Sequence, residues 1–193
     1  MTILLAAVTF GLGFGWATGG RIRGLESVDL RFGGAMLVAV LLLGIVPVLP
    51  LGTLLLDPRW LVWCLWTPIA AFTAFTAFTN RRITGMLLVA VGVLANTCVV
   101  VANGGMPVLT ANLLGAVTVA GLDGIAESWL HVSATASTNL LILADVIPIP
   151  GPQGLRGMAS LGDTLLALGV ASALVEMMHA SDTAVERSMG GAE

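Results

Sequence analysis

ITGMLLVAVGVLANTCVVVA, from Ile83 to Ala102, runs directly into Asn103-Gly104-Gly105-Met106-Pro107. The first stretch carries no charge and falls within the roughly 17 to 25 apolar residues a helix needs to cross a hydrocarbon core. The second stretch stops it, because Asn and Gly accept the left-handed conformation of a helix C-cap and a proline shortly after forbids continuation. Outward from this helix and its stop, four more apolar runs are legible: Thr2 to Thr18, Phe32 to Leu56, Trp60 to Thr79 and about Ser160 to Met178. The expected fold is all-α, a polytopic integral membrane bundle of about five transmembrane helices with short outer interfacial or re-entrant helices. All of residues 1–193 form one membrane domain on this reading, with spans at 2–18, 32–56, 60–79, 83–102 and 160–178. Residues 103–157 make an outer segment, and 179–193 a short cytoplasmic tail.

Composition supports lipid as the main solvent. The chain is 57% hydrophobic and 10% charged, far from the quarter or so of charged residues in soluble domains. It has no lysine and eight arginines, too few to clothe a soluble core. A net charge of −3 offers neither a basic tract for nucleic acid nor a polybasic lipid anchor. The expected partner is therefore the lipid bilayer and, on an accessory reading, another membrane protein; nucleic acid is excluded. Cys64 and Cys98 lie far apart inside apolar runs, which suits packing and not a disulfide or zinc site. The apolar start is not preceded by the positive charge of a signal peptide. Arg21, Arg23 and Arg31 follow it instead, so it is read as a retained helix with its N-terminus outside.

Arginine placement sets the expected orientation. Arg21, Arg23, Arg31, Arg81 and Arg82 fall in two loops, against Arg59 alone beside Asp57 in the turn between them. Positive charge is retained in the cytoplasm, which puts 103–157 outside, together with its one arginine, Arg156, and the C-terminus inside with Glu176, Asp182, Glu186 and Arg187. Pro47 and Pro50 should kink or shorten the second run, and Trp60, Trp63 and Trp66 suit a membrane interface. The repeat Phe72-Thr73-Ala74-Phe75-Thr76-Ala77-Phe78-Thr79 makes a slanted aromatic stripe on a helix. Either it lines a seam or a lipophilic ligand, or it is ordinary packing with the threonine hydroxyls bonded back to the helix.

The outer segment is the part of the chain free to do something besides spanning. Leu109 to Ala120 has helical spacing but is too short to cross, and after Gly121-Leu122-Asp123-Gly124 a second short stretch places Ile125 and Trp129 on one face. Glu127 and His131, four apart, are in reach of each other and of a proton relay with Asp145. Asp145 sits in an apolar stretch ahead of the stiff Pro148-Ile149-Pro150-Gly151-Pro152 strip, so it requires an interface or a partner, with Arg156 nearest in sequence. Ser160-Leu161-Gly162-Asp163 opens the last run as a capping-box-like signal. The candidate functional cluster is Asn103, Gly104, Gly105, Met106, Pro107, Asp145 and Asp163.

These pieces, in order, resemble a family of small bacterial membrane proteins defined only as a domain of unknown function, DUF5317. The resemblance rests on Gly19-Gly20-Arg21, Asn103-Gly104-Gly105-Met106-Pro107-Val108, Leu143-Ala144-Asp145-Val146-Ile147-Pro148 and Ser160-Leu161-Gly162-Asp163. It departs at Ala144, where the family pattern has glycine. It implies a bacterial plasma membrane and a topology, and no reaction.

No phosphate loop with its lysine, no G-x-S-x-G elbow and no H-E-x-x-H pair occurs in the chain. His131 and His179 fall on opposite sides in the expected topology, which does not suit a shared metal or haem, and no cofactor is expected. The leading functional expectation is a structural or accessory component of a membrane complex. The second is a binding or transport module for a small molecule or lipid headgroup, using a cavity under 103–157 with Asn103, Asp145 and Asp163 around it. A membrane-embedded enzyme is a weaker third.

Overall fold

A computed structural model describes residues 2–49, 59–109, 128–150 and 157–190. Its helices are α1 (Thr2–Ala17), α2 (Ile22–Ser27), α3 (Gly33–Ile45), α4 (Arg59–Thr79), α5 (Thr84–Asn103) and α6 (Leu161–Gly190). Four three-residue strands lie between α5 and α6: β1 (Met106–Val108), β2 (His131–Ser133), β3 (Ile147–Ile149) and β4 (Gly157–Ala159). β1 pairs in parallel with β2, Met106 opposite His131, and β3 pairs antiparallel with β4, Ile147 opposite Ala159.

The expected five spans are not found. Among the described residues three helices are long and apolar enough to cross a membrane: Arg59–Thr79, Thr84–Asn103 and Leu161–Ala180. α1, with 16 residues, and α3, with 13, reach only about 24 Å and 20 Å at 1.5 Å per residue, short of the ~30 Å core. The reason is local. Gly19, at φ 97°, takes the chain out of α1. In the second run, Phe32 is left-handed, so α3 starts only at Gly33. Val46-Pro47-Val48 then tightens into a 3₁₀ turn and Leu49 is extended, because proline lacks the donor an α-helix requires. Among its described residues, an apolar run of spanning length thus yields a helix about half as long.

The all-α expectation fails as well, since the described parts of the outer segment are strands, turns and the 3₁₀ turn Leu141–Leu143. The short helices expected between Leu109 and Ala120 and from Ile125 onward lie largely outside the described residues, as do Gly121-Leu122-Asp123-Gly124, Glu127, Pro152 and Arg156. Beyond Met178, α6 continues helical to Gly190.

Glycine decides how the helices meet. α5 and α6 run antiparallel, and a Cβ on Gly85 would collide with the backbone at Gly169 and Ala173; one on Gly92 would lie 2.6 Å from the Gly162 carbonyl oxygen. Such small-residue contacts are what let membrane helices approach where hydrophobic driving force between them is absent. α1 lies parallel to α6, with Gly11 against the backbone of Ala171 and Gly15 against Met178. One carboxylate ties the far end: Glu176 of α6 accepts from the backbone N–H groups of Thr84 (2.8 Å) and Gly85 (3.0 Å) at the start of α5. It serves as an N-cap supplied by another helix and favours the positive helix end. Glu176→Ala is expected to lower stability by about 1 kcal/mol, read as a lower thermal midpoint in detergent; an unchanged midpoint would show the cap to be idle.

α4 contains a π-helical stretch, Val62–Trp66, separated from Pro68 by Thr67 alone. The Thr67 backbone N–H and hydroxyl both reach the Val62 carbonyl, the hydroxyl at 2.7 Å, five residues back. Proline at 68 cannot donate and crowds the carbonyl four residues before it, and the wider turn absorbs the conflict. Further along, the Phe/Thr repeat divides by face. Thr73 and Thr76 are buried and bond back to the carbonyls of Ile69 and Phe72, whereas Phe72, Phe75 and Phe78 face outward. The central core combines Val62, Trp66, Ala70, Ala74 and Ala77 of α4 with Val89, Val93 and Val100 of α5, and Met106, Trp129 and Leu130 close the end where α5 stops.

Candidate functional site

The end of α5 is built as its sequence demands. Gly104 is left-handed at φ 69° and the Gly105 N–H returns to the Val100 carbonyl at 3.0 Å, a helix stop with its orphan carbonyls answered. Asn103 is spent on structure. Its amide donates to the carbonyls of Val99 (2.8 Å) and Asn139 (3.0 Å), and its Oδ1 accepts from the Asn139 N–H at 2.9 Å, so one side chain clamps the 139 turn to the helix end. Gly105 must be small, since a Cβ there would sit 2.8 Å from the Leu130 carbonyl oxygen.

Met106 and Pro107 continue into β1, with β2 on one side and the chain at Asp145 on the other. Val108 bridges to Asp145 in parallel. The Asp145 N–H donates to the Pro107 carbonyl (2.9 Å), and its own carbonyl accepts from Leu109 N–H (3.0 Å). Ala144, where the resembling pattern has glycine, is fully buried at φ −71°, ψ 169°, extended backbone that any residue adopts. This three-stranded patch presses the Asp145 side chain inward until it is 6% exposed.

The carboxylate is poorly provided for. Its Oδ1 is buried without a hydrogen-bond partner, and Oδ2 stands 3.9 Å from His131 Nε2, too far for a hydrogen bond. Burial pushes the Asp145 pKa up to about 8, with repulsion from the Asp163 charge adding to the rise. Burial also lowers the His131 pKa, against the pull of Asp163. Both groups are therefore neutral at pH 7, a protonated acid beside an unprotonated imidazole. His131 Nδ1 lies 2.7 Å from Ser128 Oγ, a contact that orients the ring. Of the expected relay, His131 and Asp145 do come near each other, whereas Glu127 and Arg156 lie outside the described residues.

Asp163 is placed in a separate lock. Its N–H donates to Ser160 Oγ (2.9 Å) and its Oδ2 accepts from Ser160 N–H (3.2 Å), a reciprocal capping box. Across the helix contact, Asn96 Nδ2 donates to Asp163 Oδ1 at 2.6 Å and Asn96 Oδ1 accepts from the buried Ser160 hydroxyl at 2.8 Å. Asn96 was missed in the sequence, although a lone amide inside an apolar run is itself a signal that a polar partner waits on a neighbouring helix. The seven nominated residues thus fall into three groups: a clamp at Asn103 and Gly104, a strand at Gly105, Met106 and Pro107 against Asp145, and a helix lock at Asp163. Among the described residues no group of three or more His, Cys, Asp or Glu side chains is arranged to hold a metal.

The model of a family of unknown function, DUF5317, matches residues 27–175. No curated protein and no solved structure matches the chain.

Proposed function

We propose that this chain, which belongs to the DUF5317 family of unknown function, is a structural or accessory component of a complex in the bacterial plasma membrane. Three helices of membrane length support the location. The orientation is read from charge: the turn at Arg81 and Arg82 inside, 103–157 outside and the C-terminus cytoplasmic. One observation carries the accessory role. The polar side chains expected to surround a ligand are consumed in internal bonds: Asn103 clamps the 139 turn to the end of α5, and Asp163 caps α6 and ties it to Asn96 of α5. Side chains so committed to holding the described parts together suit a docking component better than a ligand site.

Asn103→Ala and Asp163→Asn are each expected to reduce thermal stability by about 1–3 kcal/mol and the amount of protein in the membrane with it. Purification in mild detergent should bring a stoichiometric membrane partner with the wild-type chain; recovery of the chain alone at native expression counts against the accessory role. The second reading, a binding or transport module for a small molecule or lipid headgroup in a cavity under 103–157, is favoured by the orphaned Oδ1 of buried Asp145. It gains if Asp145→Asn abolishes an uptake or growth phenotype while the protein accumulates normally.

A further inference from the structure

Along the middle of α4, α3 and α4 enclose an apolar groove. Gly34, Ala35, Val38, Ala39 and Leu42 form one wall, and Pro68, Ile69 and Phe72 the other. Both sets have helical spacing, so each wall is a single helix face. The groove holds about 460 Å³ and runs about 12 Å along α3 from Gly34 to Leu42 at 1.5 Å per residue.

Beyond its Gly34 end, positive charge follows on both chain segments. α3 and α4 are antiparallel there, because the Arg31 N–H donates to Asn80 Oδ1 and the Asn80 amide donates to the Arg31 carbonyl, both at 2.9 Å. Arg31 lies three residues before Gly34. On α4, Phe78 lies about 9 Å of helix beyond Phe72 and about 120° round from it; the Arg81 guanidinium sits over the Phe78 ring, 4.6 Å from its centroid, and donates to the Phe78 carbonyl at 3.4 Å. Arg82 is next. All three arginines are exposed, and among the described residues none is paired with a carboxylate. Asp29, exposed two residues before Arg31, and Glu26 are the acidic side chains on the preceding segment. Glu176 is already committed to the start of α5.

We infer that this groove and its arginine rim form a binding site for an anionic phospholipid, one acyl chain lying between α3 and α4 and the phosphate meeting Arg31, Arg81 and Arg82. Charge selects the occupant. An apolar groove alone accepts any hydrocarbon, including a second copy of this chain, whereas three guanidinium groups without a carboxylate partner, beyond its Gly34 end where Arg31 meets Asn80, favour a ligand that is apolar along its length and negative at one end. Each arginine near a lipid surface contributes enough attraction that the three together should favour an anionic over a zwitterionic headgroup by about tenfold or more.

The test compares the purified protein in micelles supplemented with phosphatidylglycerol or with phosphatidylcholine, reading thermal midpoint and lipid-mass adducts in native mass spectrometry. Wild type should be stabilised by phosphatidylglycerol and retain it as an adduct, with phosphatidylcholine much weaker. The triple variant Arg31→Gln, Arg81→Gln, Arg82→Gln changes exposed side chains only, so it should melt normally in phosphatidylcholine and lose the phosphatidylglycerol preference. Val38→Trp, which fills the groove from an exposed position, should lose the adduct with the arginines intact. Equal stabilisation by the two lipids, or a preference that survives the triple variant, overturns the site. A preference that survives Val38→Trp overturns the groove's part in it, and dimers that displace the lipid would assign the face to a second copy.

Discussion

Gly85→Ala is expected to lower the stability of the folded protein by about 3 kcal/mol, enough to abolish accumulation of a marginally stable chain. The added methyl would meet backbone atoms of Gly169 and Ala173, and backbone on a facing helix cannot rotate away as a side chain can. Relief requires α5 and α6 to separate, which would also pull Thr84 and Gly85 from Glu176 and loosen Asn96 from Asp163. The matched control is Gly13→Ala, where nothing lies within 4 Å of the new atom. There alanine should stabilise the helix by about 0.5–1 kcal/mol through propensity alone. Thermal unfolding followed by circular dichroism in detergent reads both. Equal midpoints for the two variants would mean that the α5–α6 contact is not glycine-limited.

A second large effect is expected from pH. Unfolded, Asp145 ionises at its ordinary 3.8, whereas the folded protein holds that proton until about pH 8. Across that window the unfolded state binds fewer protons, so this group's stabilising contribution is greatest at low pH and is lost as pH rises. His131 acts the other way. Its folded pKa lies below its ordinary 6.5, so below pH 6.5 the unfolded state gains a proton that the folded state does not. Between 6.5 and about 8 only Asp145 contributes, and stability should fall by about 2 kcal/mol; just below 6.5 the two slopes oppose and the curve flattens. Asp145→Asn should remove the fall above 6.5 and uncover a loss below it. Thermal midpoints from about pH 5 to about pH 9 decide the matter. A wild-type curve that is flat between 6.5 and 8, or a variant that keeps the wild-type slope, means that Asp145 is not held protonated.

How much was legible depended on how local the cause was. The stop at Asn103-Gly104 and the box at Ser160 and Asp163 were readable because each is made by residues within a turn of one another, and their bonds are present. Span count was not. Phe32 to Leu56 has the apolarity of a crossing helix, but a left-handed Phe32 and the turn at Pro47 leave 13 residues of helix; composition reports the solvent a segment prefers and says little about where its backbone changes direction. Among candidate polar groups, Asp145 stood out by its apolar setting; of the neighbours expected for it, His131 comes near, while Arg156 lies outside the described residues.

From residue order alone came the membrane as solvent, the orientation suggested by arginine, the family resemblance and the short-range caps. Tertiary structure alone decided which runs become helices of membrane length, that β1 lies between β2 and Asp145, that Asn96 meets Asp163 across 67 residues, and that two helix faces leave a groove ending in arginine. The division has one physical reason. Hydropathy and capping are settled by neighbours along the chain, whereas glycine contacts, strand partners and a buried carboxylate's surroundings are settled by residues that only folding brings together.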